Sequence, residues 1–295
     1  MKNKFILFSA LALWALSSCT KEQVPSGLIL KDQKNTKDST YVISTIPASQ
    51  SKHILVEEAT GVHCSNCPLG AKILRDLKIQ YPNKILSVAV YSQFLNDFQA
   101  PSKYDFNSTD AMDLVMFIEG KDPSKPYAAI DRLNTGSADF NYFFKLNNWA
   151  SKIDELLVKT TPLNIELTST PTGELNEYLI STKTIFTEDW SGDLAMSIYL
   201  IEDHVKDYQD SSVVKIPDYE HNHILRKIIT PVPGSTFKDA TTTKEKGRVY
   251  EKFVTFTIPT IPTTTIKKEN CHIIAFVHKT GTDKEIIHAQ EIELE

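Results

Sequence analysis

Cys64 and Cys67 are the residues of this chain best suited by type and spacing to do chemistry. Thiols three residues apart fall on one side of a turn, close enough to bridge, and Cys64-Ser65-Asn66-Cys67-Pro68 leads straight into a helical pattern. The first turn of a helix leaves backbone N–H groups unsatisfied and carries partial positive charge. A cysteine at that position has its thiolate stabilised and its pKa lowered below the free value. Cys64 is therefore expected to present an exposed sulfur at the helix start, with protonated His63 lowering its pKa further. Cys67, one turn in, is expected to be more buried and to keep its proton. The Cys64 thiolate would attack a substrate disulfide, and Cys67 would resolve the mixed disulfide. Three uses fit the spacing: a working dithiol/disulfide, a static disulfide that staples the helix start, and a soft-metal site with or without His63. A closed zinc site needs four ligands, and no second Cys/His pair lies nearby, whereas two thiolates suit Cu(I). No cofactor and no metal site are assigned.

The flanking elements decide whether the pair is presented. His53 to Glu58 is a short β-type run, followed by a loop over residues 59–63. Leu69, Ile73 and Leu77, with Leu74 beside them, make an apolar helical stripe. Pro68 is tolerated in the first turn, and the helix should stop near Tyr81-Pro82. Residues 84–91 (KILSVAVY) form a buried-strand candidate, which completes a β-α-β unit. Residues 108–118 are expected as a second helix capped by Ser108 or Thr109, and residues 127–133 as a strand entered through Lys125-Pro126. A last helix over 142–158 has Leu146, Trp149, Ile153, Leu156 and Leu157 on its apolar face.

This order, with Cys-x-x-Cys at the first strand–helix junction, resembles the thioredoxin fold over roughly residues 41–159. The resemblance implies a cis-proline facing the cysteines, whose backbone docks the substrate strand. Pro126 matches by location, with Pro123 as runner-up. It also implies a buried acid beneath the second cysteine as proton carrier. Counting back from Cys64 gives Glu58, and aligning the apolar run gives Glu57. The two face opposite sides of the strand, so only one can serve, and the reading favours Glu58. Thioredoxins carry Trp before the first cysteine and Gly-Pro between the pair. Here His63 and Ser65-Asn66 stand instead, so the potential is not expected to match a strong reductant.

From residue 160 the pattern changes. Of 28 Thr, 21 lie beyond residue 159, and β-branched Thr suits half-exposed strands. Residues 163–169, 176–186, 193–202, 224–230, 250–258, 272–278 and 285–294 are expected as strands separated by turn signals. The fold class is thus an α/β thioredoxin-like domain (41–159) followed by an all-β antiparallel sandwich (160–295). Such a frame suits binding more than catalysis. His221 and His223 would point the same way in an extended segment and could join Asp218 or His204 on a metal, but the favoured reading is a polar strand entry whose side chains hydrogen-bond a loop. Cys271 is expected as an inert thiol in a buried strand.

The N-terminus is an address. Lys2 and Lys4 precede a twelve-residue apolar run, Phe5 to Leu16, too short to span a bilayer comfortably. Leu16-Ser17-Ser18-Cys19 follows and resembles the lipobox of bacterial lipoproteins. That resemblance implies removal of residues 1–18 and lipidation of Cys19, with residues 19–40 as a polar tether. Several acyl chains would anchor the protein stably to a membrane. Formal net charge is -5, and loss of Lys2 and Lys4 takes it to -7, so no basic footprint supports a nucleic-acid partner. Together, Cys19, the run Glu57-Glu58-Ala-Thr-Gly-Val-His-Cys64-Ser-Asn-Cys67-Pro68 and the later Tyr-Glu-His-Asn-His-Ile-Leu-Arg resemble the outer-membrane-protein-28-related lipoproteins of Bacteroidota-type bacteria. The resemblance implies an outer-membrane lipoprotein. Two functions follow as expectations: thiol–disulfide exchange with extracytoplasmic protein thiols or disulfides, or non-enzymatic surface binding or adhesion on a thioredoxin-like scaffold.

Overall fold

The structure is a computed structural model and describes residues 37–295. The signal segment 1–18, the lipidation site Cys19 and the tether up to residue 36 lie outside the described residues. Ser39 and Thr40, placed in the tether by sequence, belong to strand β1 (Ser39–Val42).

The first elements follow the local signals closely. Strand β2 (Ile54–Ala59) leads through the cysteine loop to helix α1 (Cys67–Gln80) and strand β3 (Ile85–Val90). Pro68 sits in the first turn of α1, where its missing N–H costs no intrahelical bond. The inward stripe of α1 is Cys67, Gly70, Leu74 and Leu77, not the expected Leu69, Ile73 and Leu77 series. Leu69 is 51% exposed. The cause is tertiary: a Cβ on Gly70 would meet the Trp149 ring at 3.1 Å, so the helix turns its glycine toward that ring.

Helix α2 (Thr109–Glu119) is capped by Ser108, whose Oγ accepts the Ala111 N–H at 3.0 Å. Strand β4 (Tyr127–Ile130) is shorter than the expected 127–133, because Asp131 and Arg132 have φ of 45° and 50° and leave the extended conformation. The expected helix over 142–158 is divided. Phe143–Lys145 forms strand β5, which pairs with β4, and helix α3 covers Trp149–Leu156. Phe143 and Phe144 enter two different cores, as successive strand residues must.

The rest of the chain is β-structure: β6 (Leu163–Pro171), β7 (Glu177–Phe186), β8 (Trp190–Ser191), β9 (Leu194–Glu202), β10 (Val205–Gln209) and β11 (Ile216–His221). There follow β12 (Ile224–Ile228), β13 (Ser235–Thr236), β14 (Thr243–Lys244), β15 (Arg248–Thr257), β16 (Cys271–Lys279) and β17 (Ile286–Glu293). Strands β10 and β11 form a polar hairpin that the sequence pattern does not announce.

A nine-stranded mixed sheet runs β17-β16-β9-β12-β3-β2-β4-β5, with β13 attached to β9. Strands from 41–159 and from 160–295 are joined in it by one parallel bridge, Ile224 to Ala89. Pairings among the strands after residue 160 are antiparallel, as expected, but β9, β12, β16 and β17 share one mixed sheet with the first half, so the later strands do not form a sandwich of their own. Helix α2 covers one face, over Leu55, Val88, Tyr199 and Phe276. On the other face α1 and α3 pack over Ile54, Val56 and Ile85, and the antiparallel sheet β1-β15-β7-β6 packs over Met196, Ile198 and Ile273. Strand β9 is buried on both faces, which explains why its alternation of Leu194, Met196, Ile198 and Leu200 marks one core and not a solvent boundary. The protein is thus β-rich, with mixed and antiparallel sheets and three α-helices among the described residues. None of those helices is long and apolar enough to cross a membrane.

Candidate functional site

The cysteine loop leaves β2 against the segment that follows β3. A Cβ on Gly61 would lie 2.7 Å from the Leu95 carbonyl oxygen, so the close approach requires glycine. The Asn96 side chain locks the two segments together: its Oδ1 accepts the Val62 N–H at 2.9 Å and its Nδ2 donates to the Thr60 carbonyl at 3.0 Å. Cys64 and Cys67 are joined as a disulfide with Cα atoms 5.3 Å apart.

The expected exposed sulfur is not there. Cys64 and Cys67 are each 2% exposed. Helix α1 begins at Cys67, so Cys64 lies in the turn before it. The β10–β11 hairpin is pinned across this turn. Gln209 Nε2 donates to the carbonyls of Gly61 at 3.0 Å and Cys64 at 3.1 Å, and the Asp210 N–H donates to the Val62 carbonyl at 2.8 Å. His63 is also engaged. Its Nδ1 lies 3.1 Å from the Asp210 carboxylate and its Nε2 lies 3.0 Å from the Asp97 carbonyl. Burial alone would raise Asp210, but the Tyr208 hydroxyl and His63 outweigh it and hold the carboxyl below its usual range.

The two acids of β2 meet opposite fates. Glu57 faces α2 and receives a bidentate pair from Arg132, at 2.8 Å and 2.7 Å, plus the Tyr199 hydroxyl at 3.1 Å. Glu58 faces α1. It is 5% exposed, and its Oε1 has no hydrogen-bond partner. That oxygen lies against Gly70, whose Cβ would come within 2.8 Å of it, so the acid sits one turn along from Cys67. Burial pushes the Glu58 carboxyl up to about 8. The sequence could separate the two acids by alternation but not foresee Arg132, which arrives from a left-handed turn.

The Lys125–Pro126 peptide is cis, as is Ala100–Pro101, while Pro123 is not preceded by a cis bond. Ala59 pairs with Tyr127, which places Pro126 beside the point where β2 gives way to the cysteine loop. Lys125, not singled out from sequence, buries its side chain and donates to the Ser92 carbonyl at 2.7 Å and to the Phe94 carbonyl. Burial lowers it to about 8.

His221 and His223 do not converge. His221 is buried between the Tyr91 hydroxyl, 2.7 Å from its Nδ1, and the Tyr208 carbonyl, 3.2 Å from its Nε2, and burial lowers it to about 4. His223 has φ of 58° in the turn to β12, which breaks the strand period, and its ring lies between Asp203 and Lys78. His204 pairs with Glu220, and Asp218 with Lys103. Among the described residues, no group of three His, Cys, Asp or Glu is placed to hold a metal ion. Cys271 opens β16 as a buried thiol that donates to the Lys267 carbonyl at 3.3 Å, and burial pushes it up to about 12.

Comparison with known proteins gives a family and a fold. The family model described as Outer membrane protein Omp28 matches residues 121–294. The structure titled HBP35 of Porphyromonas gingivalis superposes with a TM-score of 0.61 at 17% identity, covering 84% of this chain and 77% of that one. A domain of the outer membrane lipoprotein Omp28 from Porphyromonas gingivalis matches at 18% identity with a TM-score of 0.34, over 46% of this chain and 89% of that one. No curated protein matches the chain.

Proposed function

Because the chain belongs to the Outer membrane protein Omp28 family, we propose that it is a lipid-anchored outer-membrane protein that works by binding, with its thioredoxin-like part as scaffold and Cys64–Cys67 as a structural staple. The carrying observation is the burial of both cysteines beneath Gln209 and the β10–β11 hairpin. A substrate disulfide cannot be reached by a sulfur so covered. The thioredoxin-like reading is supported by the parallel β2-α1-β3 unit, the cysteine pair at its junction and Pro126 at the neighbouring strand start. The anchor rests on Leu16-Ser17-Ser18-Cys19. Cys19→Ala should move the protein from the membrane to the soluble fraction. A redox titration tests the staple: a structural disulfide has a potential below about −300 mV and survives glutathione. Reduction in the glutathione range would overturn this reading.

Glu58 favours a second reading, gated thiol–disulfide exchange. A buried acid without a partner is costly, and beside Cys67 it has a use as proton carrier. Were the hairpin to swing off the reduced pair, the Cys64 thiolate would attack a substrate disulfide and release one substrate thiolate. Cys67, its proton passed to the minor ionised form of Glu58, would then attack the Cys64 sulfur of the mixed disulfide and release the second. The substrate gains two electrons, the cysteine pair loses them, and an external thiol reductant restores the pair. Insulin-disulfide reduction tests this. Gln209→Ala, which loosens the hairpin, should raise the rate, and Cys64→Ser should abolish it. Equal inertness of all three proteins removes the second reading.

A further inference from the structure

On the flank of α1 away from the cysteine loop, a cleft of about 290 Å³ opens between α1, β3 and the turn joining β11 to β12. Leu74 and Ala89 give it an apolar floor, and Glu58, Arg75, Lys78 and His223 contribute its polar wall. Taking about 30 Å³ per water-sized group, it has room for about ten heavy atoms.

The polar wall is unfinished. Glu58 Oε1, on a side chain only 5% exposed, has no hydrogen-bond partner. Lys78 Nζ lies 3.0 Å from His223 Nε2 and 3.4 Å from Ser87 Oγ and makes no direct ion pair among the described residues. Arg75 at the rim makes none either. The nearby negative charges are held by other groups. Asp203 lies behind His223, 3.0 Å from its Nδ1, and is also approached by His272 at 3.6 Å. Glu291 pairs with His272 at 3.2 Å, and Glu220 at the mouth pairs with His204 at 2.9 Å. Two cations with no direct ion pair among the described residues therefore meet one buried acid across an apolar floor, while Glu291 and Asp203 act on Lys78 from further off. Since burial lifts that acid to about 8, it is protonated at neutral pH and offers an O–H donor.

We propose that this cleft binds a small aliphatic monocarboxylate, its head group between Lys78, Arg75 and the Glu58 carboxyl and its chain against Leu74 and Ala89. A carboxylate with an alkyl tail suits the site better than a tetrahedral dianion, because the floor is apolar and Glu220 in the lining adds negative charge that a dianion would meet. A cationic ligand would face Lys78 and Arg75 directly.

Titration calorimetry of the full chain with hexanoate tests the assignment, with hexanamide, hexylammonium and inorganic phosphate as comparison probes. Hexanoate should bind saturably, and hexanamide at least about tenfold more weakly, since a charge-assisted contact contributes about 1.5–3 kcal/mol and each 1.4 kcal/mol is tenfold. Arg75→Gln and Lys78→Met should each weaken hexanoate about tenfold on the same basis. Arg75 is exposed and makes no ion pair, so its variant keeps the test valid if Lys78→Met fails to fold. Any of four results overturns the proposal: no saturable binding, equal affinity for hexanoate and hexanamide, tighter binding of hexylammonium or phosphate, or hexanoate binding that Arg75→Gln leaves unchanged.

Discussion

Glu57 and Glu58 are neighbours on one strand, both buried, and they do opposite things. On the α2 face, Glu57 is saturated by Arg132 and Tyr199, and every partner is itself buried. On the α1 face, Glu58 is left with an unmatched oxygen between the cysteine helix and an open cleft. Burial by itself therefore says little about what an acid does. A buried carboxylate with a bidentate guanidinium is part of the frame, while a buried carboxyl without a partner is a site waiting for a proton or a ligand.

The comparison breaks most visibly at Arg132. Arg132→Met leaves the Glu57 charge buried and unpaired, and such a loss costs about 3–5 kcal/mol. Urea denaturation should show it, and adding Glu57→Leu should recover part of the loss, because an apolar pair of similar volume is often tolerated. If the single variant is as stable as the wild type, the Glu57 face is not the rigid one.

Glu58 should show itself through pH. Folded, it titrates near 8 against an ordinary value of 4.5. Between those values the folded chain keeps a proton that the unfolded chain has lost, so stability falls as pH rises through that window. Three buried histidines have the opposite slope. His221 is lowered to about 4, and His278 and His288 to about 3, so their contribution is full above their ordinary value of 6.5 and is lost as pH falls below it. Glu58→Gln isolates the acid from them. Its stability should match the wild type at about pH 4, below the ordinary carboxyl value, and exceed it above about pH 8 by a few kcal/mol, an order-of-magnitude figure. Parallel curves for the two proteins would mean that Glu58 is solvated after all.

What the sequence disclosed was local. The Ser108 cap, the Pro68 start of α1 and the main strands after residue 160 follow from turn chemistry and short apolar periods, and they stand within a few residues of expectation. Alternation along β2 was enough to set Glu57 and Glu58 on opposite faces. What it hid was long-range. The phase of α1 depends on a Trp149 ring that meets Gly70 from a distant helix. The burial of Cys64 depends on a hydrogen bond to Gln209, 145 residues away, from a hairpin whose strands (VKDYQ and IPDYEH) are too polar to reveal themselves by alternation. The cleft depends on His223 leaving the strand conformation its neighbours suggest.

The two helices that cover these acids should also respond differently at their starts. Helix α2, over Glu57, has a side-chain cap, with Ser108 Oγ accepting the Ala111 N–H. Helix α1, beside Glu58, has none, because Asn66 at its cap position makes no side-chain hydrogen bond. Its opening is tied instead by the disulfide, which closes a loop of four residues. By the chain-entropy relation such a short loop is worth about 2 kcal/mol, so the double change Cys64→Ser, Cys67→Ser should lower stability by about that much while Arg132 and Glu57 remain paired. Ser108→Ala should cost about 1 kcal/mol, and Asn66→Ala close to nothing. The ordering of these three variants in urea denaturation carries the argument. If Asn66→Ala proves as costly as Ser108→Ala, α1 is capped in solution through its side chain, and the disulfide is not what holds its first turn.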